Sequence, residues 1–186
     1  MAALSALLCS RNESKLAEFR AALPGWELDL LDVEDYPPED GASYYENARG
    51  KAEFGRSVAP GARLLADDSG IEVAALGGAP GVATARWADD GVGRLLAELA
   101  GADDRRARYV CELVALSPDG HELRGTGVLD GTITGERRGT EGFGYDPVFV
   151  PVGELRTVAE LGDAWKARNS HRARAAAALS AEVDAC

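Results

Sequence analysis

The sequence has few cysteines, and this scarcity excludes two kinds of small stabilised fold. Three cysteines occur in 186 residues, at positions 9, 111 and 186. An odd number of cysteines with no C-x-x-C pair fits neither a disulfide framework nor a zinc site. Because unpaired thiols are typical of a reducing compartment, we expect a cytoplasmic protein.

Long apolar runs are also missing. No apolar stretch approaches the roughly 18 residues that span a bilayer. The apolar run over residues 1–9 lacks the basic segment of an export signal, and polar residues follow it at once. We therefore interpret this run as a first buried strand and expect no association with a membrane.

Positive charge is scarce, since 20 lysines and arginines face 31 acidic residues, which gives a net charge of −11. A protein that holds a nucleic-acid backbone needs a basic surface, so this balance argues against a nucleic-acid polymer as partner. A small anionic ligand stays compatible, because a site can be locally positive on an acidic protein. Three of the basic residues are lysines, Lys15, Lys51 and Lys166, and each weakly indicates a position where a compact charge is needed.

What is present is ordinary globular material, with 46% hydrophobic residues and neither an internal repeat nor a break in composition. These features predict one domain over residues 1–186. Strand and helix patterns alternate, and a hairpin is predicted over 108–116 and 122–133, so we expect an α/β fold with a mixed sheet. Other predicted elements are strands over 3–9 and 26–31, an acidic loop over 32–41, and helices over 12–23, 43–59, 92–100 and the last 25 or so residues. Two short strands, 64–66 and 71–74, are predicted to flank a turn at 67–70.

A polar turn, Ser10–Lys15, joins the first predicted strand to the first helix. Backbone N–H groups at a helix N-terminus, with hydroxyls and a lysine in the first turn, suit a phosphate group. The turn has no Walker motif. Taken alone, it is better explained by an ordinary N-cap followed by an exposed lysine.

Paired carboxylates, Asp67 and Asp68, follow an apolar strand pattern. Carboxylate oxygens are the ligands that Mg²⁺ requires, and a carboxylate near such an ion can also orient a water molecule. Glu46, on a predicted helix, is a third carboxylate that could reach the same point. A solvated Asp-Asp-Ser-Gly turn is the competing interpretation.

Two aromatic residues, Phe143 and Tyr145, lie in a glycine-rich segment that ends at Pro147. Such a segment could form a stacking floor for a flat base, with Asp146 reading the edge of that base. A structural hairpin corner is the competing interpretation.

Near the C-terminus, Lys166 and Arg172 can face one ligand from adjacent helical turns. Lysine suits a polyphosphate as a point charge, whereas arginine and histidine can donate to a carbonyl. No carboxylate lies near His171 in the sequence, so we do not expect it to act as a catalytic base.

Together these segments resemble the inosine triphosphate pyrophosphatase family, whose members hydrolyse non-standard purine nucleoside triphosphates. Its motifs occur here in the same order: S-x-N-x-x-K at 10–15, E-N-A at 46–48 followed by Lys51-Ala52, A-D-D-S-G at 66–70, G-G-x-P-G-V-x-x-A-R at 77–86, G-F-G-Y-D-P-x-F at 142–149 and S-H-R at 170–172. The resemblance covers about residues 4–183.

This resemblance implies Mg²⁺-dependent hydrolysis of ITP, dITP or XTP at the α-phosphorus, which yields the monophosphate and pyrophosphate. It implies that Asp68 is the proton acceptor and a metal ligand, with Glu46 as the other metal carboxylate. By the same resemblance, the triphosphate is contacted by Ser10, Arg11, Asn12, Glu13, Ser14, Lys15, Ser69 and Lys166, and the base by Phe143, Gly144, Tyr145, Asp146, His171 and Arg172.

The resemblance further implies an elongated mixed β-sheet flanked by helices, two lobes with the active-site cleft between them, and a homodimer. Two other functions remain open. One is a related pyrophosphatase that acts on modified pyrimidine triphosphates. The other is a nucleotide-sensing module without catalysis, against which the Asp67-Asp68 pair and the lysines argue.

Overall fold

A computed structural model describes residues 4–183 of the chain. Ala3, where the first strand was predicted to begin, and Cys186 lie outside this range. The strands are β1 (Leu4–Leu8), β2 (Trp26–Leu30), β3 (Leu64–Val73), β4 (Arg106–Leu116), β5 (Glu122–Ile133) and β6 (Phe149–Pro151). The helices are α1 (Glu13–Ala22), α2 (Tyr44–Val58), α3 (Gly91–Glu98), α4 (Val158–Leu161), α5 (Asp163–Asn169) and α6 (His171–Val183).

The strands form one sheet in the order β2-β1-β3-β4-β5-β6. Strand β1 pairs in parallel with both β2 and β3, whereas β6 runs antiparallel to β5. The turn between β4 and β5 is closed by the Ser117 amide, which donates to the His121 carbonyl at 2.9 Å. The predicted α/β class, the mixed sheet and the hairpin are therefore confirmed.

The chain forms two compact units. Unit 1 comprises residues 4–68, 111–127 and 172–183, and its buried side chains include Phe19, Leu65 and Leu179. Unit 2 comprises residues 69–110 and 128–171, and its core includes Leu95 and Phe149. Each unit boundary falls inside a strand or a helix, which explains why no break in composition marks it.

Local sequence determines where the helices around the proposed site begin. Asn12 caps α1, because its side chain accepts from the amides of Ser14 and Lys15. Ser43 caps α2 by accepting from the amide of Glu46. Helix α6 lies almost directly on β5, since a Cβ at Gly125 would be 2.1 Å from the carbonyl oxygen of Ala175. This close contact holds α6 against β5.

Two predictions about local structure are wrong. Residues 67–70 do not form a turn, because β3 continues without interruption from Leu64 to Val73. Asp, Ser and Gly favour turns when water surrounds them, but β3 lies inside the sheet between β1 and β4, where strand pairing outweighs that preference. The C-terminal helix is interrupted at Ser170, whose extended backbone separates α5 from α6.

Over residues 4–183, no helix has both the length and the apolar character that crossing a membrane requires. This finding is consistent with the short apolar runs of the sequence.

Candidate active site

Strand β3 carries two adjacent carboxylates into the interior of unit 1. Asp67 is fully buried and Asp68 is 5% exposed, which excludes the solvated turn as an interpretation. Consecutive residues of a strand point to opposite faces of the sheet, so the two carboxylates meet different neighbours. In unit 1 we call the group around them the β3 cluster, which consists of Lys15, Glu18, Glu39, Asn47, Lys51, Asp67, Asp68 and Arg172.

Asp67 is held as an anion by cations. The Lys15 ammonium lies 2.9 Å from Asp67 Oδ2, and Arg172 Nε lies 3.5 Å from the same oxygen. Burial by itself would raise the pKa of Asp67, but the charges of Lys15 and Arg172 outweigh it and hold this pKa well below its ordinary value. Asp67 is therefore a fixed negative charge at neutral pH.

Asp68 has the opposite tendency. Burial raises its pKa above the ordinary value, and the Lys51 charge and the Asn47 hydrogen bond offset only part of this rise. Neighbouring carboxylates, Glu39 first and then Asp67, add to it. Two adjacent carboxylates thus differ in basicity, and the more basic one, Asp68, is suited to accept a proton.

Asn47 orients the carboxylate of Asp68. Its Nδ2 donates to Asp68 Oδ2 at 2.9 Å, while its Oδ1 accepts from the Gly41 amide at 2.8 Å. Because the Gly41 bond fixes which end of the amide faces the acid, the donor end always points at Asp68. Sequence reasoning missed Asn47 as a site residue, although it lies inside the E-N-A motif.

Lys51 is a second residue of the site that sequence reasoning missed. It lies one helical turn after Asn47 on α2, is buried, and forms an ion pair with Glu39. Burial alone would lower the pKa of Lys51, but surrounding carboxylates, led by Asp67 and Glu39, raise it above its ordinary value. The rarity of lysine in this chain was the signal that could have identified it.

Glu46 has a different environment from the one predicted. It is exposed, and its Oε2 accepts from the Ala42 amide at 2.7 Å, at the start of α2. The largest acidic charge that acts on Asp68 comes from Glu39, in the loop before α2. Among residues 4–183, no three His, Cys, Asp or Glu side chains are grouped so that they could hold a metal ion. The metal role of Glu46 stays a prediction.

The Ser10–Lys15 turn combines local capping with one long-range contact. Ser10 Oγ accepts from the Asn12 amide at 3.1 Å, and Asn12 caps α1, so both side chains organise the turn. Arg11 faces the acidic loop, where it donates to the Glu34 carbonyl at 2.6 Å and lies 3.4 Å from Asp35. Glu13 and Ser14 are exposed in the first turn of α1.

Arg172 is buried in the β3 cluster at the start of α6. Besides Asp67, it contacts Glu18, whose Oε2 lies 3.3 Å from Arg172 Nη1. Burial would lower the pKa of Arg172, but Glu18 and then Asp67 raise it further above its already high ordinary value. In unit 1 the structure therefore places this guanidinium against carboxylates, and its predicted contact with a base stays a prediction.

Unit 2 contains a second group of candidate residues, which we call the Asp146 cluster: Tyr109, Phe143, Asp146, Lys166 and His171. The buried carboxylate of Asp146 accepts from Lys166 Nζ at 2.7 Å and from the Phe143 amide at 2.9 Å. Lys166 Nζ also lies 4.5 Å from the centre of the Phe143 ring. Asp146 thus holds the lysine and the aromatic residue together.

Glycine allows this arrangement at position 142. Gly142 has φ +75, and a Cβ there would lie 2.3 Å from Asp146 Oδ2. Gly144 has φ +59 and is exposed. The segment is therefore not a plain hairpin corner, because it curls around the Asp146 carboxylate. Its predicted stacking on a base stays a prediction.

The two predicted stacking residues have different environments. Tyr145 is buried in the core of unit 2, whereas Phe143 is half-buried. His171 stacks on the ring of Tyr109, with centroids 4.6 Å apart and an interplanar angle of 11°. Ser69, partly exposed, directly follows Asp68 in β3.

The fold and the β3 cluster define an α/β protein with a buried pair of carboxylates surrounded by lysine and arginine, a charge arrangement that suits a polyanionic substrate. The chain belongs to the Ham1 family, whose sequence model matches residues 6–182.

Curated relatives support the same family. The chain is 46% identical over 188 residues to the dITP/XTP pyrophosphatase of Mycobacterium tuberculosis, which covers 93% of this chain and 92% of that protein. It is 43% identical over 182 residues to the protein of the same name from Deinococcus deserti, with 94% and 87% covered.

Solved structures show the same fold. The Staphylococcus aureus Ham1 protein has a TM-score of 0.85 at 33% identity and covers 97% of this chain and 98% of its own. A HAM1 protein from Coxiella burnetii has a TM-score of 0.84 at 36% identity, with 98% and 100% covered.

Proposed function

We propose that this protein hydrolyses the non-standard purine nucleoside triphosphates ITP, dITP and XTP to the monophosphate and pyrophosphate, and so cleanses the nucleotide pool. The observation that carries the proposal is the pair Asp67 and Asp68, in which one carboxylate is held ionised and its neighbour is made more basic. The names of the curated relatives, dITP/XTP pyrophosphatase, support this choice of substrate.

In the proposed reaction, water attacks the α-phosphorus and the bond to the bridging oxygen of the β-phosphate breaks. Asp68 accepts the proton of the attacking water, and pyrophosphate leaves with the electron pair of the broken bond. Lys15 and Lys51 surround the carboxylates and are suited to offset the negative charge that develops on the leaving group. No histidine is needed as a base.

Carboxylate oxygens such as those of Asp68 are the donors that Mg²⁺ prefers, and this chemistry supports Mg²⁺ as the proposed cofactor. Asp68 is a buried carboxylate with a raised pKa, so a cation beside it would favour its ionised form. Among the carboxylates near Asp68, Glu39 has the larger electrostatic effect on it, and it joins Glu46 as a candidate second ligand. When bound, Mg²⁺ would polarise the attacking water and offset phosphate charge.

For the base, we propose that Phe143, Asp146 and His171 contact the ring. We further propose that Arg172 distinguishes hypoxanthine and xanthine from adenine. The first two bases have a carbonyl at position 6, whereas adenine has an amino group there. A donor N–H of the Arg172 guanidinium matches the carbonyl, whereas the amino group of adenine would set one donor against another. We also propose that the enzyme acts in the cytoplasm as a homodimer.

Incubation with dITP and Mg²⁺, followed by identification of the products, tests the proposal. Release of pyrophosphate and dIMP is the expected result. Orthophosphate would indicate a phosphatase instead. Binding without any product would favour the nucleotide-sensing module, and faster turnover of modified pyrimidine triphosphates would favour the related pyrophosphatase.

A further inference from the structure

Tyr109 lies at the centre of the Asp146 cluster, and the proposed reaction gives it no role. It is a buried residue of β4. Within unit 2 its ring stacks on His171, its hydroxyl donates to Asp146 Oδ1 at 3.3 Å, and its ring meets that of Phe149 at 4.5 Å between centroids.

The stack with His171 fixes the plane of the imidazole. The two rings are nearly parallel at 11°, whereas Tyr109 and Phe149 are tilted by 41°. A ring that lies flat on another cannot rotate about its own side-chain bond without losing that contact. The plane in which the ring nitrogens of His171 donate and accept is therefore fixed.

The hydroxyl supplies a second restraint, on Asp146. That carboxylate also accepts from Lys166 and from the Phe143 amide, so its orientation determines where these two groups lie. A phenylalanine at position 109 would fill the same space in the core, but it would lack this hydrogen bond. The tyrosine thus restrains two different members of the cluster at once.

We infer that Tyr109 is a positioning residue for base recognition, which acts through His171 and Asp146 to set the preference for purines with a carbonyl at position 6. The inference rests on the proposed function for the identity of the ligand. Tyr109 is not a catalytic residue in this role. Its loss is therefore expected to reduce selectivity between bases more than it reduces binding of the phosphate.

The test measures the dissociation constants of dIMP and dAMP by calorimetry, which requires no turnover. We expect the wild type to prefer dIMP and Tyr109→Phe to reduce this preference about threefold to tenfold, the loss expected for one ordinary hydrogen bond. Tyr109→Leu removes the stack as well and should abolish most of the preference. Leu129→Ala truncates the same core and should keep the preference while lowering stability.

A spectroscopic readout separates positioning from simple packing. The chain has two histidines, and the exposed His121 is an internal reference for the NMR signals of His171. The ring-current shift of His171 should persist in Tyr109→Phe and vanish in Tyr109→Leu. Because Tyr109→Phe preserves the core, the test does not depend on whether Tyr109→Leu folds.

Two results would overturn the inference. One is a wild type that binds dIMP and dAMP equally. The other is a preference that stays unchanged both in Tyr109→Phe and in the Tyr109 variant whose NMR spectrum shows that the ring-current shift of His171 is lost. A clear preference for dIMP that falls in the Tyr109 variants, together with no release of pyrophosphate from dITP, would refute the proposed function and leave the inference standing.

Discussion

Glu18 Oε2 and Arg172 Nη1 lie 3.3 Å apart although 154 residues separate them in the sequence. Their side chains are 11% and 5% exposed, so this ion pair between α1 and α6 is buried within unit 1. The same guanidinium lies 3.5 Å from Asp67, and the pair thereby links the outer helices to β3.

Removal of Glu18 should destabilise the protein strongly. In Glu18→Ala the buried guanidinium loses its nearest anion, which costs about 3 kcal/mol in the free energy of unfolding. Urea denaturation measures this change. Arg20→Ala is the control, because it removes a surface pair with Asp29 and should cost about 0–1 kcal/mol. Equal costs in the two variants would contradict the structural role of Glu18.

Arg172→Ala should weaken discrimination between dITP and dATP more than it changes the dependence on Mg²⁺. The reason is that the guanidinium of Arg172 would set a donor against the 6-amino group of adenine, a mismatch that disappears with the side chain. The ratio of kcat/KM for the two nucleotides measures the effect. An equal loss on both would instead assign Arg172 to the phosphates, as its contact with Asp67 favours.

Asp68→Asn should leave folding and nucleotide binding nearly intact and remove most of the turnover, by about 100-fold or more, because the amide cannot accept the proton of the attacking water. Pyrophosphate release and calorimetric binding measure the two properties separately. Asp130→Asn, which alters an exposed acid of β5, is the matched control and should behave like the wild type. Rates near those of the wild type in Asp68→Asn would remove this residue from its role.

The acid limb of the pH profile should report on Asp68. Activity requires its ionised form, and because burial raises its pKa, activity should fall at a pH above that expected for an ordinary aspartate. Lys51 stabilises the carboxylate, so Lys51→Met raises the pKa of Asp68 further and moves the acid limb of kcat/KM to higher pH. Arg49→Met, on the same helix, should not move it. A limb that stays in place or moves to lower pH in Lys51→Met would contradict this assignment.

Tyr145 and Gly91 should show coupled effects on stability. Among residues 4–183, the buried hydroxyl of Tyr145 has no hydrogen-bond partner, so Tyr145→Phe should change the free energy of unfolding by less than about 1 kcal/mol. A Cβ at position 91 would lie 2.3 Å from that hydroxyl, so Gly91→Ala should destabilise by about 1–3 kcal/mol. This cost should be smaller when Tyr145→Phe is present. A double-mutant cycle by urea unfolding checks the coupling, and equal costs in both backgrounds would exclude it.

Local sequence patterns were sufficient to predict structural features that depend on residues close together in the chain. The caps at Asn12 and Ser43 and the hairpin closed at Ser117 follow from residues within a few positions of each other. The same reasoning failed for residues 67–70, because Asp, Ser and Gly indicate a turn unless the surrounding sheet is known.

The environment of the carboxylates could not be predicted in this way. The low pKa of Asp67 depends on Lys15 and Arg172, which are 52 residues before it and 105 residues after it in the chain. Likewise, Glu39 acts on Asp68 from a loop that pattern analysis treated as a solvated acidic stretch. Resemblance to a family identified most of these residues. It did not show which charged side chain shifts the pKa of which aspartate.

The acidic loop over residues 32–41 is attached by two cations of unequal exposure. Arg11, 65% exposed, contacts Asp35 in its middle, whereas the buried Lys51 contacts Glu39 near its end. Dissolved salt screens exposed charges far more than buried ones. Rising ionic strength should therefore weaken the contact of Arg11 with Asp35 while Lys51 still holds Glu39. The salt concentration would then change the mobility of the middle of the loop without releasing Glu39.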